Sequence, residues 1–179
     1  MFLSNSALMC KNRLPFKNGV FNFVTGALEP HSPDVPFFRR IEYDFPQYSE
    51  ELEALCTDIR EKVVNSIWGD SADYVMQHTA RCMAGCVEDK RFVFAVGDTN
   101  AGKGVWCDLM ASAFQDFVTT FTPENLLQNP STGGDQGKLN SWLLDLHHAR
   151  LSFTNELKME RGKMIDSNII KRFASGGIL

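Results

Sequence analysis

The sequence lacks any long hydrophobic run. Its longest apolar stretches, such as residues 92–96, are far shorter than the roughly 20 residues that a membrane-spanning helix needs. We therefore expect no membrane span. The first ten residues contain no charged side chain, whereas a secretory signal peptide places positive charge ahead of its apolar segment. We therefore also expect no cleaved signal.

The sequence also lacks a disulfide framework. It contains five cysteines, an odd number, and their spacing follows no disulfide pattern. Free thiols in a reducing, intracellular compartment are the expectation. With 44% apolar and 22% charged residues in a chain of 179, disorder and collagen-like structure are excluded, and about one domain is expected. No internal repeat is evident.

Neither sign of charge dominates, although the charge is unevenly distributed. The net charge is −4, with nine basic and thirteen acidic residues in the first ninety positions. The last thirty residues carry six basic side chains against three acidic ones. A mildly basic tail permits contact with nucleic acid at the C-terminal end but does not require it.

The first half of the chain divides into two segments of different pattern. Prolines and turn signals through residues 14–47 predict strands and loops. Apolar residues from 52 to 67 follow helical spacing, and Gly69 ends that helix before a second one over about 72–87. We therefore predict three segments: a β/loop lead-in at 1–48, a helical segment at 49–89 and a third segment at 90–179.

The second half alternates between strands and helices. Residues 91–96 form an unbroken apolar run that predicts a buried parallel strand. The pattern then predicts further strands near 117–121 and 150–155 and helices near 105–117 and 139–146. Strands alternating with helices predict an α/β fold with a parallel sheet. The glycine-rich residues 129–137 predict a loop.

A possible phosphate-binding loop lies between the strand predicted at 91–96 and the helix that follows. Gly97, Gly102 and Lys103 have the G-x4-G-K spacing that lets backbone N–H groups converge on an anion, with lysine reaching the β- and γ-phosphates. Gly104 stands where the usual pattern has Ser or Thr as a Mg²⁺ ligand. Water, Asp98 or Thr99 would have to replace that hydroxyl.

Four stretches in order resemble the superfamily 3 helicases, in particular the helicase part of viral, phage and plasmid primase–helicases. The loop at 97–104, with Asn100 inside it, resembles the Walker A motif of that family. The stretch at 149–156 resembles its acidic strand end, Walker B. The other two are the lead-in, residues 14–33, and residues 170–177, which resemble the family's lysine and double-glycine loop.

The resemblance implies an α/β P-loop NTPase fold of the AAA+-like type and an ATP-dependent DNA helicase that acts in replication with ATP and Mg²⁺. Glu156 would polarise the attacking water, with Asn155 and Glu156 near the metal. Lys171, Arg172 and the loop at 175–177 would contact single-stranded or forked DNA inside a hexameric ring. The residues expected to hold the nucleotide are Gly97, Asp98, Thr99, Asn100, Ala101, Gly102, Lys103 and Gly104.

The sequence departs from the family pattern at three residues. These are Gly104, Asn155 and Ile178, the last replacing an aspartate after the double glycine. The sensor strand and arginine finger of the family would follow residue 179, so we expect the chain to be either part of a longer protein or a decayed copy. We expect it to be located where viral or plasmid DNA replicates. The parallel sheet would then be incomplete at its C-terminal end.

Other interpretations of the same residues remain open. Gly102-Lys103-Gly104 is also typical of nucleoside monophosphate kinases. Gly104 and Asn155 are compatible with a nucleotide-binding or assembly module that has lost turnover. His78, Cys82 and Cys86 share a helical spacing, but core packing is favoured over a metal site because no fourth ligand is near in sequence. His147 and His148 are interpreted as structural or surface residues.

Overall fold

The structure is a computed structural model and describes residues 10–127, 142, 146, 148–154 and 164–175. The described residues form two compact units. The first lies within Met1–Cys86 and Ala95–Asp116, and the second within Val87–Phe94 and Phe117–Leu179. The division cuts across the boundary predicted at 89/90, because residues 95–116 pack with the first unit. The three predicted segments stay a prediction.

The first unit begins with an antiparallel three-stranded sheet, as the β/loop pattern of the lead-in predicts. Its strands are β1 (Arg13–Phe16), β2 (Gly19–Asn22) and β3 (Ala27–Glu29), in the order β1-β2-β3. The Asn22 side chain lies buried between the second and third strands. It donates to Glu29 Oε1 at 2.6 Å and accepts from the Val24 N–H at 2.9 Å, which fixes the turn between them.

A helical segment follows the sheet, as the spacing of apolar residues predicts. Ser49 caps helix α1 (Glu50–Ile59) by accepting from the Leu52 N–H at 3.1 Å, and three glutamates occupy the first turn. The helix continues through a π-helical stretch, Arg60–Asn65, into a last helical turn, Ser66–Trp68. It stops at Gly69, whose φ of +51° glycine adopts far more easily than other residues.

Helix α2 (Ala72–Met83) starts after a short 3₁₀ turn and ends four residues before the predicted position. Gly85 has a φ of +75°, and the Cys86 N–H reaches back to the Arg81 carbonyl at 3.0 Å. A glycine in this conformation closes the last turn of a helix and prevents its continuation. The apolar residues after Met83 therefore lie in the turn that ends α2 and not in the helix itself.

Helix α3 (Lys103–Phe114) is the last element of the first unit. Its buried side chains are Trp106 and Met110, which are 3% and 7% exposed. The Trp106 ring meets Trp68 edge-to-face, with centroids 5.8 Å apart. This packing attaches the start of α3 to the helical segment before Gly69.

The second unit contains the two later strands predicted from the sequence. Strands β4 (Val118–Thr120) and β5 (Leu151–Phe153) pair in parallel with Val118 opposite Leu151. Helix α4 (Ser167–Ser175) belongs to the same unit. The described chain is therefore a mixture of helix and sheet that includes a small parallel sheet.

The buried strand predicted over residues 91–96 is wrong. The segment has no strand pairing in the described structure, and Val96 and Phe94 are 94% and 66% exposed. A buried parallel strand needs neighbours that bond its backbone on both sides and layers that cover both of its faces. Among the described residues, β4 and β5 pair with each other instead.

None of the described helices is long and apolar enough to cross a membrane.

We expect Trp106→Ala to lower the free energy of unfolding by about 3–5 kcal/mol, because it opens a cavity where α3 is anchored. Val105→Ala, one residue away on the exposed side, should change it by less than about 0.5 kcal/mol. Urea unfolding followed by circular dichroism measures both. Equal effects of the two substitutions would contradict the described orientation of α3.

Candidate functional site

Residues 97–104 form a tight turn that leads directly into helix α3. The Ala101 N–H bonds to the Asp98 carbonyl at 3.3 Å, which closes the turn. Asn100 and Gly102 both have left-handed backbone angles, with φ of +65° and +82°. Asparagine and glycine are the residues that adopt this conformation most readily. The local sequence therefore dictates the bend.

The Lys103 side chain folds back onto the turn that precedes it. Its Nζ donates to the Gly97 carbonyl at 2.9 Å and to the Asp98 carbonyl at 2.8 Å. Residues 97–103 thus form a small loop around one ammonium group. Such an arrangement places a cation beside the backbone of the loop, where it could bond to a phosphate oxygen.

The N-terminus of α3 carries no internal cap. Gly102 occupies the N-cap position and has no side chain to accept a bond, and no acidic residue lies in the first turn. The first N–H groups of a helix have no partner within the helix, and together with the helix dipole they favour an anion. Helix α1 differs, because Ser49 and the glutamates of its first turn supply that function from within the chain.

Ile67 forms the support beneath this loop. A Cβ added to Gly102 would lie 2.8 Å from Ile67 Cγ1, closer than real Cβ contacts allow, and 3.2 Å from Cδ1, which is a tight contact. Gly102 is therefore required both for its backbone angle and for this close approach. Sequence reasoning missed Ile67. The second glycine of the motif signals a close approach, but it does not tell which residue makes it.

Gly104 stands at the position of the usual metal ligand and supplies no side-chain oxygen. Gly104 is exposed, and nothing lies within 4 Å of the Cβ it lacks. Asp98 and Thr99, the two candidates for that role, are also exposed. Lys103 and the N-terminus of α3 are therefore the groups of this loop that could contact an anion.

The remaining predicted site residues are only partly covered by the structure. Asn155 and Glu156 lie outside the described residues, which in this region end at Thr154. Lys171 is exposed in α4 of the second unit. The Arg172 side chain and residues 176–177 also lie outside the described part, so all of these roles stay predictions.

In the described residues, the side chains of His78, Cys82 and Cys86 are not grouped as three ligands of one metal ion. Cys82 Sγ lies 3.7 Å from His78 Nε2, whereas Cys86 Sγ faces Asn12 Oδ1 at 4.0 Å. The His78 ring stacks on Tyr74. Within the described residues, no three His, Cys, Asp or Glu side chains are grouped so as to hold a metal ion.

We expect two glycines of the loop to respond oppositely to alanine. Gly102→Ala combines a left-handed backbone with the Ile67 clash and should lower the free energy of unfolding by about 2 kcal/mol or more. Gly104→Ala, in open space within α3, should leave it unchanged or raise it by up to about 1 kcal/mol. Thermal unfolding of the two variants side by side tests this. A loss of stability in Gly104→Ala would refute the described geometry.

Cys107 in α3 should react slowly with thiol reagents. Burial and the neighbouring Asp108 raise the pKa of Cys107 above its ordinary value, so its thiolate appears only at higher pH. Its contribution to stability is complete below the ordinary thiol pKa and is lost as pH rises through the raised one. Iodoacetamide labelling read by mass spectrometry at pH 8 should modify the exposed Cys56 first. Faster labelling of Cys107 would contradict the prediction.

No family model matches the chain. The chain is, however, similar to a protein of the Sputnik virophage named "Putative helicase V13", with 30% identity over 168 residues. The match includes 92% of this chain and 20% of the virophage protein, so the chain spans about a fifth of the length of that relative. The chain is therefore similar to part of a viral protein that is named as a putative helicase.

Proposed function

We propose that the chain is the ATP-binding and hydrolysing core of a DNA helicase of the viral primase–helicase type, a superfamily 3 enzyme with a P-loop NTPase fold. The loop around Lys103 carries the proposal. It joins a lysine ammonium, a left-handed glycine and an uncapped helix start in one short segment. The similarity to a virophage protein named as a helicase supports the same class.

The loop would bind the triphosphate of ATP through its backbone and Lys103. Lys103 Nζ now bonds to the carbonyls of Gly97 and Asp98, and it would exchange them for phosphate oxygens. The N–H groups at the start of α3 would face the same anion. Mg²⁺, when bound with the nucleotide, would neutralise charge on the β- and γ-phosphates.

Hydrolysis would require groups from the end of β5. In this proposal Glu156 accepts a proton from the attacking water and orients it, as a carboxylate at a strand end is suited to do. Asn155 would hold a water of the metal. β5 pairs with β4, and the Phe121 N–H extends that ladder by bonding to the Phe153 carbonyl at 3.0 Å.

Coupling to DNA replication would involve the basic C-terminal helix. Lys171 is exposed in α4, and with Arg172 it would contact the phosphates of single-stranded or forked DNA without sequence preference. In the full-length protein, this contact would lie in the channel of a hexameric ring. The proposed location is the intracellular site of viral or plasmid replication.

A second candidate function is nucleotide binding without turnover. Gly104 lacks the hydroxyl that would bind Mg²⁺, and Asp98 and Thr99, the two candidates to replace it, are exposed. Such a module would retain affinity for ATP but hydrolyse it poorly. A third possibility, a nucleoside monophosphate kinase with the Gly102-Lys103-Gly104 pattern, would transfer phosphate to AMP.

We expect the chain to bind ATP and Lys103→Ala to weaken that binding by at least about 30-fold, the loss of one charge-assisted phosphate contact of about 2 kcal/mol. Lys17→Ala removes an exposed lysine from the turn after β1 and serves as the matched control with unchanged affinity. Titration calorimetry with ATP measures both. Equal affinity in wild type and Lys103→Ala, or no binding to wild type, would overturn the proposed nucleotide site.

A companion assay follows ATP turnover with and without single-stranded DNA, in wild type and in Glu156→Gln. Turnover that DNA stimulates and that Glu156→Gln abolishes without loss of ATP binding supports the helicase. Binding without turnover in wild type supports the second candidate. Phosphate transfer to AMP supports the kinase.

A further inference from the structure

The helical turn Ser66–Trp68 contacts the phosphate loop and helix α3 at two points. A Cβ on residue 102 would lie 2.8 Å from Ile67 Cγ1, so the Ile67 side chain fills the space that such an atom would need. The next residue, Trp68, packs edge-to-face against Trp106, one turn into α3, with an interplanar angle of 87°. Two consecutive residues thus contact the loop bend and the helix that follows it.

The backbone on both sides of this turn departs from regular helix. The π-helical stretch Arg60–Asn65 precedes it, and Gly69, with φ of +51°, follows it. A π-helical turn adds a residue to the turn and so changes which side chains face a neighbouring element. Ile67 and Trp68 lie between these two irregularities and face residues 102 and 106.

We propose that Ile67 is a positioning residue for the phosphate loop, whose side chain holds Gly102 in its left-handed bend and thereby fixes the amides and the lysine that bind phosphate. The identity of the loop's ligand, a nucleoside triphosphate, rests on the function proposed above. Ile67 itself touches the loop backbone and not the ligand.

The expected loss of ATP affinity depends on how strongly Ile67 holds the loop in its binding conformation. With Ile67 shortened to alanine, the branched side chain no longer supports Gly102, and the loop samples other conformations. Apparent affinity falls by the fraction of molecules in the binding form, so a fraction of one tenth weakens ATP binding about tenfold. A β-branched valine keeps the Cγ1 contact and restores most of the affinity.

The experiment compares ATP affinity in wild type, Ile67→Ala, Ile67→Val and Leu14→Ala. Leu14 is 2% exposed in β1, opposite Phe21 of β2, so its truncation destabilises the unit from within the lead-in sheet. We expect about tenfold weaker binding for Ile67→Ala, near-complete rescue by valine, and unchanged affinity of folded Leu14→Ala. Equal losses in Ile67→Ala and Leu14→Ala would reduce Ile67 to a generic core residue and overturn the proposal.

A measurement without nucleotide separates this proposal from the proposed function. Hydrogen exchange by mass spectrometry should report faster exchange of the amides in residues 97–104 of Ile67→Ala, with β1 and β2 unchanged. Such a result in a chain that fails to bind ATP would retain the positioning role and reject the nucleotide site. Unchanged loop exchange together with normal ATP binding would reject the positioning role alone.

A double variant tests the contact directly. Gly102→Ala places its methyl group against Ile67, and the added Ile67→Ala removes the atoms that it meets. We expect the double variant to lose less ATP affinity than the product of the two single losses, since the residues share one contact. Strict additivity would contradict a direct contact between Ile67 and residue 102.

Discussion

The candidate site depends on the close contact between the backbone at Gly102 and the side chain of Ile67. The contact requires a residue without a Cβ, and the φ of +82° favours the same residue. Gly102 is the N-cap of α3, Lys103 is the first helical residue, and the Lys103 side chain bonds back to the carbonyls of Gly97 and Asp98. The position of the cation and the start of the helix thus both adjoin this glycine.

The apolar side of α3 keeps this geometry in place. Trp106 and Met110 are buried, and Trp106 packs on Trp68, the neighbour of Ile67 in the chain. The polar loop is thus attached to the helical segment through aromatic and aliphatic contacts that lie on one side of it. Residues 98–101 of the loop remain exposed.

The sequence predicts the local structure of this region better than its surroundings. Proline positions, the 3.6-residue period before Gly69 and the G-x4-G-K spacing depend on neighbouring residues, and the lead-in sheet, α1 and the loop-to-helix junction follow them. The prediction of a buried strand at residues 91–96 fails because an apolar run is buried as a strand only where other strands pair with it. The run itself does not specify such partner strands. Ile67 could not be predicted for a related reason, since contacts between residues 35 positions apart leave no periodic pattern.

The bonds of Lys103 to two carbonyl groups have a consequence for how any anion binds. An arriving phosphate competes with oxygens that already satisfy the ammonium, so the measured affinity reflects the difference between two sets of hydrogen bonds. With a phosphate bound as proposed, the ammonium would have oxygen partners in both the free and the occupied loop. The carbonyls of Gly97 and Asp98 would then replace a departing anion. A loop of this kind suits repeated cycles of capture and release more than permanent retention.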